Sequence, residues 1–212
     1  MTAAEIAREL YTNTLLSAPM VRGSSHLFRL SCLNYGADVV FSPGITDLSL
    51  LESTRKEENG HIVLYSEKNG HKNLVFKTCE AEKGKLVLQV VSNNSANAIK
   101  AFQVLEDVAV GVDLNCGCPE SFACHRGGGS AIELETAVDI VKGLSRNTNK
   151  PVSVKFRIFQ EDEQTIQFAK AIENAGASAI TVHGRYKEQK HQGDVHYDKM
   201  KLVFEHVNCC KI

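Results

Sequence analysis

The stretch Val152-Ser-Val-Lys-Phe-Arg-Ile158 decides how this chain is read. Side chains on a strand alternate between faces, so Val152, Val154 and Phe156 share one face and Ser153, Lys155 and Arg157 the other. The apolar face suits packing against helices. The polar face suits either a solvated edge strand or the lumen of a parallel barrel. In a lumen, Lys155 needs an anion or an electron-rich ring beside it, because an unpaired buried charge is strongly unfavourable.

Outward from this strand the same unit recurs. Short runs rich in Val, Ile and Leu fall at Thr14–Ala18, Asp38–Ser42, Leu86–Val91, Val110–Leu114, Val152–Ile158 and Ala179–His183. Helix-like stretches lie at His26–Tyr35, Ser95–Leu105, Ala131–Arg146, Glu161–Ala175 and Tyr197–Val207. Such strands suit a parallel sheet covered on both faces, with the helices as crossovers. Glu57–Lys85 is less regular, and Ile62–Ser66 with Asn73–Thr78 predicts a hairpin inserted before the third strand. The charged clusters Arg55–Glu58 and Glu80–Lys85 read as solvated turns, and Cys209-Cys210 as the core of an aborted strand.

Six strand–helix units suit a doubly wound open sheet or an incomplete (β/α)8 TIM-type barrel, since eight units need roughly 250 residues. No Gly-x-Gly-x-x-Gly follows the first strand, which weakens the open sheet of dinucleotide-binding type. The expected fold class is therefore α/β, with about six of eight barrel units in residues 1–212. This would be the N-terminal part of a single domain, its closing strands absent.

Composition excludes several classes. The 212 residues carry 43% hydrophobic side chains, enough for one core. A formal net charge of −1 gives no sign of nucleic acid held by bulk charge, so a polyanion would need a local basic patch. No apolar run is long enough to span a membrane, and Met1–Leu10 is polar and charged, without a secretory apolar region. Seven cysteines, an odd count without a repeating framework, fit reduced thiols and a cytoplasmic location.

Polar residues close four of the strands: Gln89, Asn115, Lys155 with Arg157, and His183 with Arg185. In a barrel those ends meet at one mouth, where active sites are built. The densest signal is Asp113-Leu-Asn-Cys-Gly-Cys-Pro119. Cys116 and Cys118 with Cys124-His125 suggest a metal set, but the spacing matches no familiar ligand pattern, and no metal is expected. Buried free thiols in a tight turn are a second reading. A third displays the thiol at the mouth, where a pKa near ~8.5 leaves it protonated and able to act as a general acid. Arg126-Gly-Gly-Gly-Ser130 offers backbone N–H groups to a phosphate but lacks the Lys and Ser/Thr of a P-loop. It reads better as a loop closing over substrate.

Further pieces run through residues 14–190: Ala18-Pro-Met-Val-Arg22, Leu33-x-Tyr-Gly-Ala-Asp38, Phe76-Lys-Thr-Cys-Glu80, Leu88-Gln89, Val112-Asp-Leu-Asn-x-Gly-Cys-Pro119, Gly127–Ala131, Pro151-Val-x-x-Lys-x-Arg157 and Thr181-Val-His-Gly-Arg185. In this order they resemble the tRNA-dihydrouridine synthases, most closely the eukaryotic subgroup acting at position 20 of the D-loop. The resemblance implies FMN on a barrel, NADPH or NADH as reductant, and tRNA as partner substrate. It implies hydride transfer to C6 of a uridine, with Cys118 giving a proton to C5. Pro19, Met20, Val21, Gln89, Asn115, Lys155 and His183 would bind the flavin, and Arg157 and Arg185 the substrate. Oligomeric state is open, with a monomer as the default.

Three departures from the family pattern stand out. Cys116 replaces a residue usually Met, Ala123-Cys-His-Arg126 departs from the family's loop wording, and Pro43-Gly44 stands where an acidic pair is common. The family's flavin-phosphate turns follow strands seven and eight, and its tRNA-binding helical domain comes later still. Two alternatives remain: a flavin-barrel reductase of small pyrimidines, and an inactive truncated form acting as an interaction protein. If the barrel is incomplete, these 212 residues retain flavin poorly, and the purified chain is expected to be nearly colourless. Stoichiometric flavin absorbance after purification is the contrary result.

Overall fold

The computed structural model describes residues 1–68, 70–125, 127–190 and 192–212. The elements are α1 (Ala3–Tyr11), β1 (Leu16–Ser17), α2 (His26–Asn34), β2 (Val39–Phe41), β3 (Ile45–Thr46), α3 (Asp47–Leu51), β4 (Thr54–Glu58), β5 (His61–Lys68), β6 (His71–Cys79), β7 (Leu86–Val91), α4 (Ser95–Gln103), β8 (Gly111–Cys116), α5 (Ser121–Cys124), α6 (Leu134–Asn147), β9 (Val152–Arg157), α7 (Asp162–Asn174), β10 (Ala179–His183), α8 (Tyr197–Glu205) and β11 (Cys210–Lys211).

The main sheet runs β1-β2-β7-β8-β9-β10-β11, with β3 also on β7, and every pairing in it is parallel. It curls into the arc of a TIM-type barrel, with β1 and β11 at the two ends of the path. The six expected strands all form, and Cys209-Cys210 gives the start of a seventh, with Cys210 opposite Ala179. The outward residues Leu88, Leu114, Val154 and Ile180 are fully buried against helix residues such as Ala101, Ile140 and Ile172. Each such side chain contributes about 1.5–3 kcal/mol by leaving water.

Helix α1 went unread in the sequence because Met1–Leu10 looks merely polar. A capping box starts it: the Glu5 amide donates to the Thr2 hydroxyl (3.3 Å) and the Thr2 amide to the Glu5 carboxylate (2.7 Å). Its inner residues Ala7 and Tyr11 pack with Val39, Phe41, Val87 and Ala179 as a second apolar cluster. These inward residues of β2, β7 and β10 sit at the N-terminal end of the arc, so α1 closes that end.

The inserted hairpin is a three-stranded antiparallel sheet, β4-β5-β6. Two readings are corrected here. Arg55–Glu58 is not a turn but most of edge strand β4, whose charged side chains suit an exposed sheet edge. Nor is Glu82 solvated: it is 0% exposed, within a 3-10 turn that follows β6. The Arg29 guanidinium from α2, itself 1% exposed, donates to both Glu82 oxygens (2.5 and 3.0 Å). It also donates to the Ser24 and Lys77 carbonyls (2.8 and 2.7 Å) and lies over the Phe76 ring. On the far side, Arg55 forms a bidentate pair with Asp107 (2.8 and 2.6 Å). The insert is thus held to the barrel by one buried and one exposed charge pair.

Breaking the buried pair from one side leaves a carboxylate in a dry site. Arg29→Met is expected to destabilise the fold by about 3–5 kcal/mol in urea unfolding, and adding Glu82→Leu should recover part of that loss. Equal stability of Arg29→Met and wild type would contradict the account.

Candidate active site at the arc's C-terminal mouth

Strand register sorts the polar residues into rows. Gln89, Asp113, Ser153 and Ala179 stand side by side across β7-β8-β9-β10. Asn115, Lys155 and Thr181 form the next row toward the C-terminal ends, and Arg157 with His183 the last. All face the inner side, because their alternates Leu114, Val154, Phe156 and Val182 lie in the helix-packed core. Gln89, Asn115, Lys155, Arg157 and His183 therefore converge on one opening.

The first row is tied by hydrogen bonds. The wholly buried Asp113 carboxylate accepts from the Ser153 hydroxyl (2.6 Å) and the Gln89 side-chain amide (2.7 Å). The Gln89 carbonyl oxygen accepts from the Asn115 amide (2.8 Å), and the Ser42 hydroxyl from the Gln89 backbone N–H (2.8 Å). A Cβ on Gly44 would stand 3.0 Å from the Gln89 side-chain oxygen and 3.3 Å from the Asn115 amide nitrogen. That crowding accounts for glycine there, where the backbone passes close to both side chains. Burial pushes the Asp113 carboxyl up to about 6, against the pull of Ser153, Gln89 and Lys155.

Lys155 is mostly enclosed, and its ammonium makes no hydrogen bond among the described residues. Burial lowers its pKa, and Asp113 opposes that shift. Its row neighbour Thr181 carries a buried hydroxyl without a partner among the described residues, and so does Ser17 on β1. These groups await acceptors or an anion.

Cys118 lies one turn beyond β8. The Asn115 side-chain oxygen accepts from the Gly117 and Cys118 amides (3.1 and 2.9 Å), which fixes the turn. Burial pushes the Cys118 thiol up, so it is protonated at neutral pH. The Cys118 carbonyl accepts from the Ser130 amide (2.9 Å). Gly129 sits at φ +56°, and a Cβ there would stand 2.5 Å from that carbonyl. At Gly129, then, the glycine run serves close packing on the Cys118 turn; Arg126 lies outside the described residues. Cys116 faces the outer core, so Cys116, Cys118, Cys124 and His125 do not gather as a ligand set among the described residues.

Arg157 bridges the turn and the next loop, donating to the Gly117 carbonyl (2.8 Å) and the Tyr186 carbonyl (3.3 Å). Arg185 donates to the Gly193 carbonyl (2.9 Å), on the rim beyond β10. Pro19, Met20 and Val21 follow β1, with Met20 40% and Val21 43% exposed. They share the mouth side, following the C-terminal end of β1. Asp113 and Ser153 were missed as site residues. The alternation that placed Lys155 also places them inward, and only the expectation that site residues sit at strand ends hid them.

A parallel arc with a cation, a protonated thiol and a hydrogen-bonded amide row at one mouth defines the class: part of a (β/α)-barrel with a candidate active site at its C-terminal mouth. The family model "Dihydrouridine synthase (Dus)" matches residues 16–212, and the chain belongs to that family. The tRNA-dihydrouridine(20) synthase [NAD(P)+] of Saccharomyces cerevisiae is 35% identical over 208 residues, 92% of this chain and 54% of that protein. Its Schizosaccharomyces pombe counterpart is 33% identical, over 82% of this chain and 38% of the relative. The human tRNA-dihydrouridine(20a/20b) synthase [NAD(P)+]-like protein is 30% identical, over 90% and 56%. The chain thus spans about half the length, or less, of these two yeast relatives. Among solved structures, 2,3-dimethylmalate lyase aligns over 100% of this chain and 71% of its own, with TM-score 0.55 and 10% identity. Phosphonopyruvate hydrolase aligns over 95% and 68%, with TM-score 0.53 and 11% identity. Those two likenesses bear on the fold alone.

Asp113 has a pH signature. With an unfolded pKa near ~3.9 and a folded value of about 6, it binds its proton more tightly when folded. Its stabilising contribution is full below about pH 4 and is lost as pH rises through about 6. The urea-unfolding free energy of wild type should therefore fall between pH 4 and 7 by about 2–3 kcal/mol more than that of Asp113→Asn. Parallel pH profiles for the two proteins would refute this.

Proposed function

We propose that this chain reduces a uridine in the tRNA D-loop, at position 20, to dihydrouridine, using FMN and NADPH or NADH. Its residues would then form the N-terminal part of a flavin-binding barrel domain working in the cytoplasm. No helix among the described residues is long and apolar enough to cross a membrane. The observation that carries the reading is the Lys155 ammonium, without a hydrogen bond among the described residues, in the same mouth as the protonated Cys118 thiol.

The residues present fit a flavin. Lys155 and the Thr181 hydroxyl, which has no partner among the described residues, suit an anionic, acceptor-rich group. When bound, FMN supplies the hydride that reaches C6 of the uracil ring. Lys155, with Gln89, Asn115 and His183, would hold the isoalloxazine, and Lys155 would favour negative charge there. Pro19, Met20 and Val21 would give it an apolar wall. Cys118 holds the proton that goes to C5, and Asn115 fixes that thiol by binding the turn's backbone amides. Arg185, on the rim, would offer positive charge to a tRNA phosphate, and Arg157, 7% exposed, would serve the substrate by holding the Cys118 turn through the Gly117 carbonyl. The names of the relatives support tRNA uridine as substrate and a nicotinamide as reductant.

The test supplies excess FMN, NADPH and unmodified tRNA to the purified protein and measures dihydrouridine. Wild type should form it, and Cys118→Ala should bind FMN equally while turning over about 10²-fold more slowly or worse. Equal turnover would remove Cys118 from the mechanism; no product from wild type at saturating FMN would overturn the assignment.

A further inference from the structure

Away from the mouth, the described residues bring two imidazoles and a thiol together where the insert meets the barrel. His61 opens β5, Cys79 ends β6, and the hairpin register sets them directly opposite each other. His26 is the first residue of α2. One ligand atom from each lies within 4.8 Å of the other two, and no other such group occurs among the described residues.

The ring orientations point to a purpose. His26 Nδ1 is 3.0 Å from the Glu82 carboxylate, and His61 Nδ1 is 3.0 Å from the Asn59 carbonyl. A carboxylate or a backbone carbonyl on one ring nitrogen is the arrangement that fixes a metal-binding histidine, leaving the other nitrogen as donor. In His26 that other nitrogen, Nε2, is buried and has no hydrogen-bond partner among the described residues, on a side chain only 10% exposed. An orphaned buried nitrogen is costly unless something binds it. The His26 and His61 rings meet edge to face at 5.3 Å, with the thiol beside them.

We propose that His26, His61 and Cys79 bind a zinc ion, independently of the barrel-mouth chemistry. A tetrahedral Zn²⁺ with bonds of roughly 2.0–2.3 Å sets neighbouring ligand atoms about 3.3–3.8 Å apart. The trio is within about an ångström of that spacing, a difference that small side-chain rotations close. Two imidazoles and a thiolate select zinc over magnesium or calcium, which prefer oxygen ligands. On binding, the Cys79 thiol gives its proton to solvent, the thiolate and the two neutral imidazoles each donate a lone pair, and water completes the shell. The ion would staple three segments, α2, β5 and β6, beside the buried Arg29–Glu82 pair.

The experiment titrates the metal-free chain with Zn²⁺ against a chromophoric chelator, and with Co²⁺ as a spectroscopic substitute. Wild type should take one equivalent of zinc and give a thiolate-to-cobalt charge-transfer band with tetrahedral visible bands. Its thermal midpoint should rise with zinc. Cys79→Ser and His61→Ala, each checked for native circular dichroism, should bind at least about a hundredfold more weakly and lose the thermal shift. No zinc uptake at micromolar concentration would overturn the proposal. So would binding that survives both substitutions, as a site at Cys209 and Cys210 would give. A dihydrouridine assay that fails while zinc still binds would count against the proposed function and leave this site standing.

Discussion

The Asp113 carboxylate is the point on which the inner face of the sheet depends. It is wholly buried, and its two oxygens reach Gln89 on β7 and Ser153 on β9 from β8 between them. Three strands are thereby locked in one register. A slip of one residue would turn Asp113 into the apolar layer and bring Val112 or Leu114 inward. That slip would also scatter Asn115, Lys155 and Arg157, whose shared direction is what makes a mouth. The same carboxylate opposes the burial of Lys155, so the register and the cation rest on one group.

Much of this was legible because a parallel sheet packed under helices leaves a plain mark. Its strands are apolar on alternate residues even where the other side is polar, and Val152–Arg157 shows both faces within six residues. The helices after β7, β8, β9 and β10 could be read from composition to within a few residues. The inward placement of Lys155 within β9 was legible from alternation, and that of Cys118 just beyond β8 from the turn residues that follow the strand.

What could not be read depended on distant partners. Helix α1 has short apolar positions, Ala7 and Tyr11, that gain meaning only against Phe41 and Ala179. Glu82 sits in a charged cluster that looks solvated until Arg29, 53 residues away, is brought beside it. Strand β4 is mostly exposed, so its sequence need not alternate in the usual way. Gly44 looks like a departure from a pattern, and only the distances to Gln89 and Asn115 show it as a close approach of backbone to both side chains. Local rules capture what a segment does with its own atoms; these features belong to pairs.

Helix α1 carries a consequence for the underside of the sheet. Tyr11 stacks on Phe41 with ring centroids 6.5 Å apart, and its hydroxyl lies 3.6 Å from where Gly111 would carry a Cβ. The helix also packs against β11, so the first and last strands of the arc share one plug at their lower ends. With Ala7 and Tyr11 laid over Val39, Phe41, Val87 and Ala179, removing α1 would uncover those side chains together and leave a contiguous apolar floor facing water.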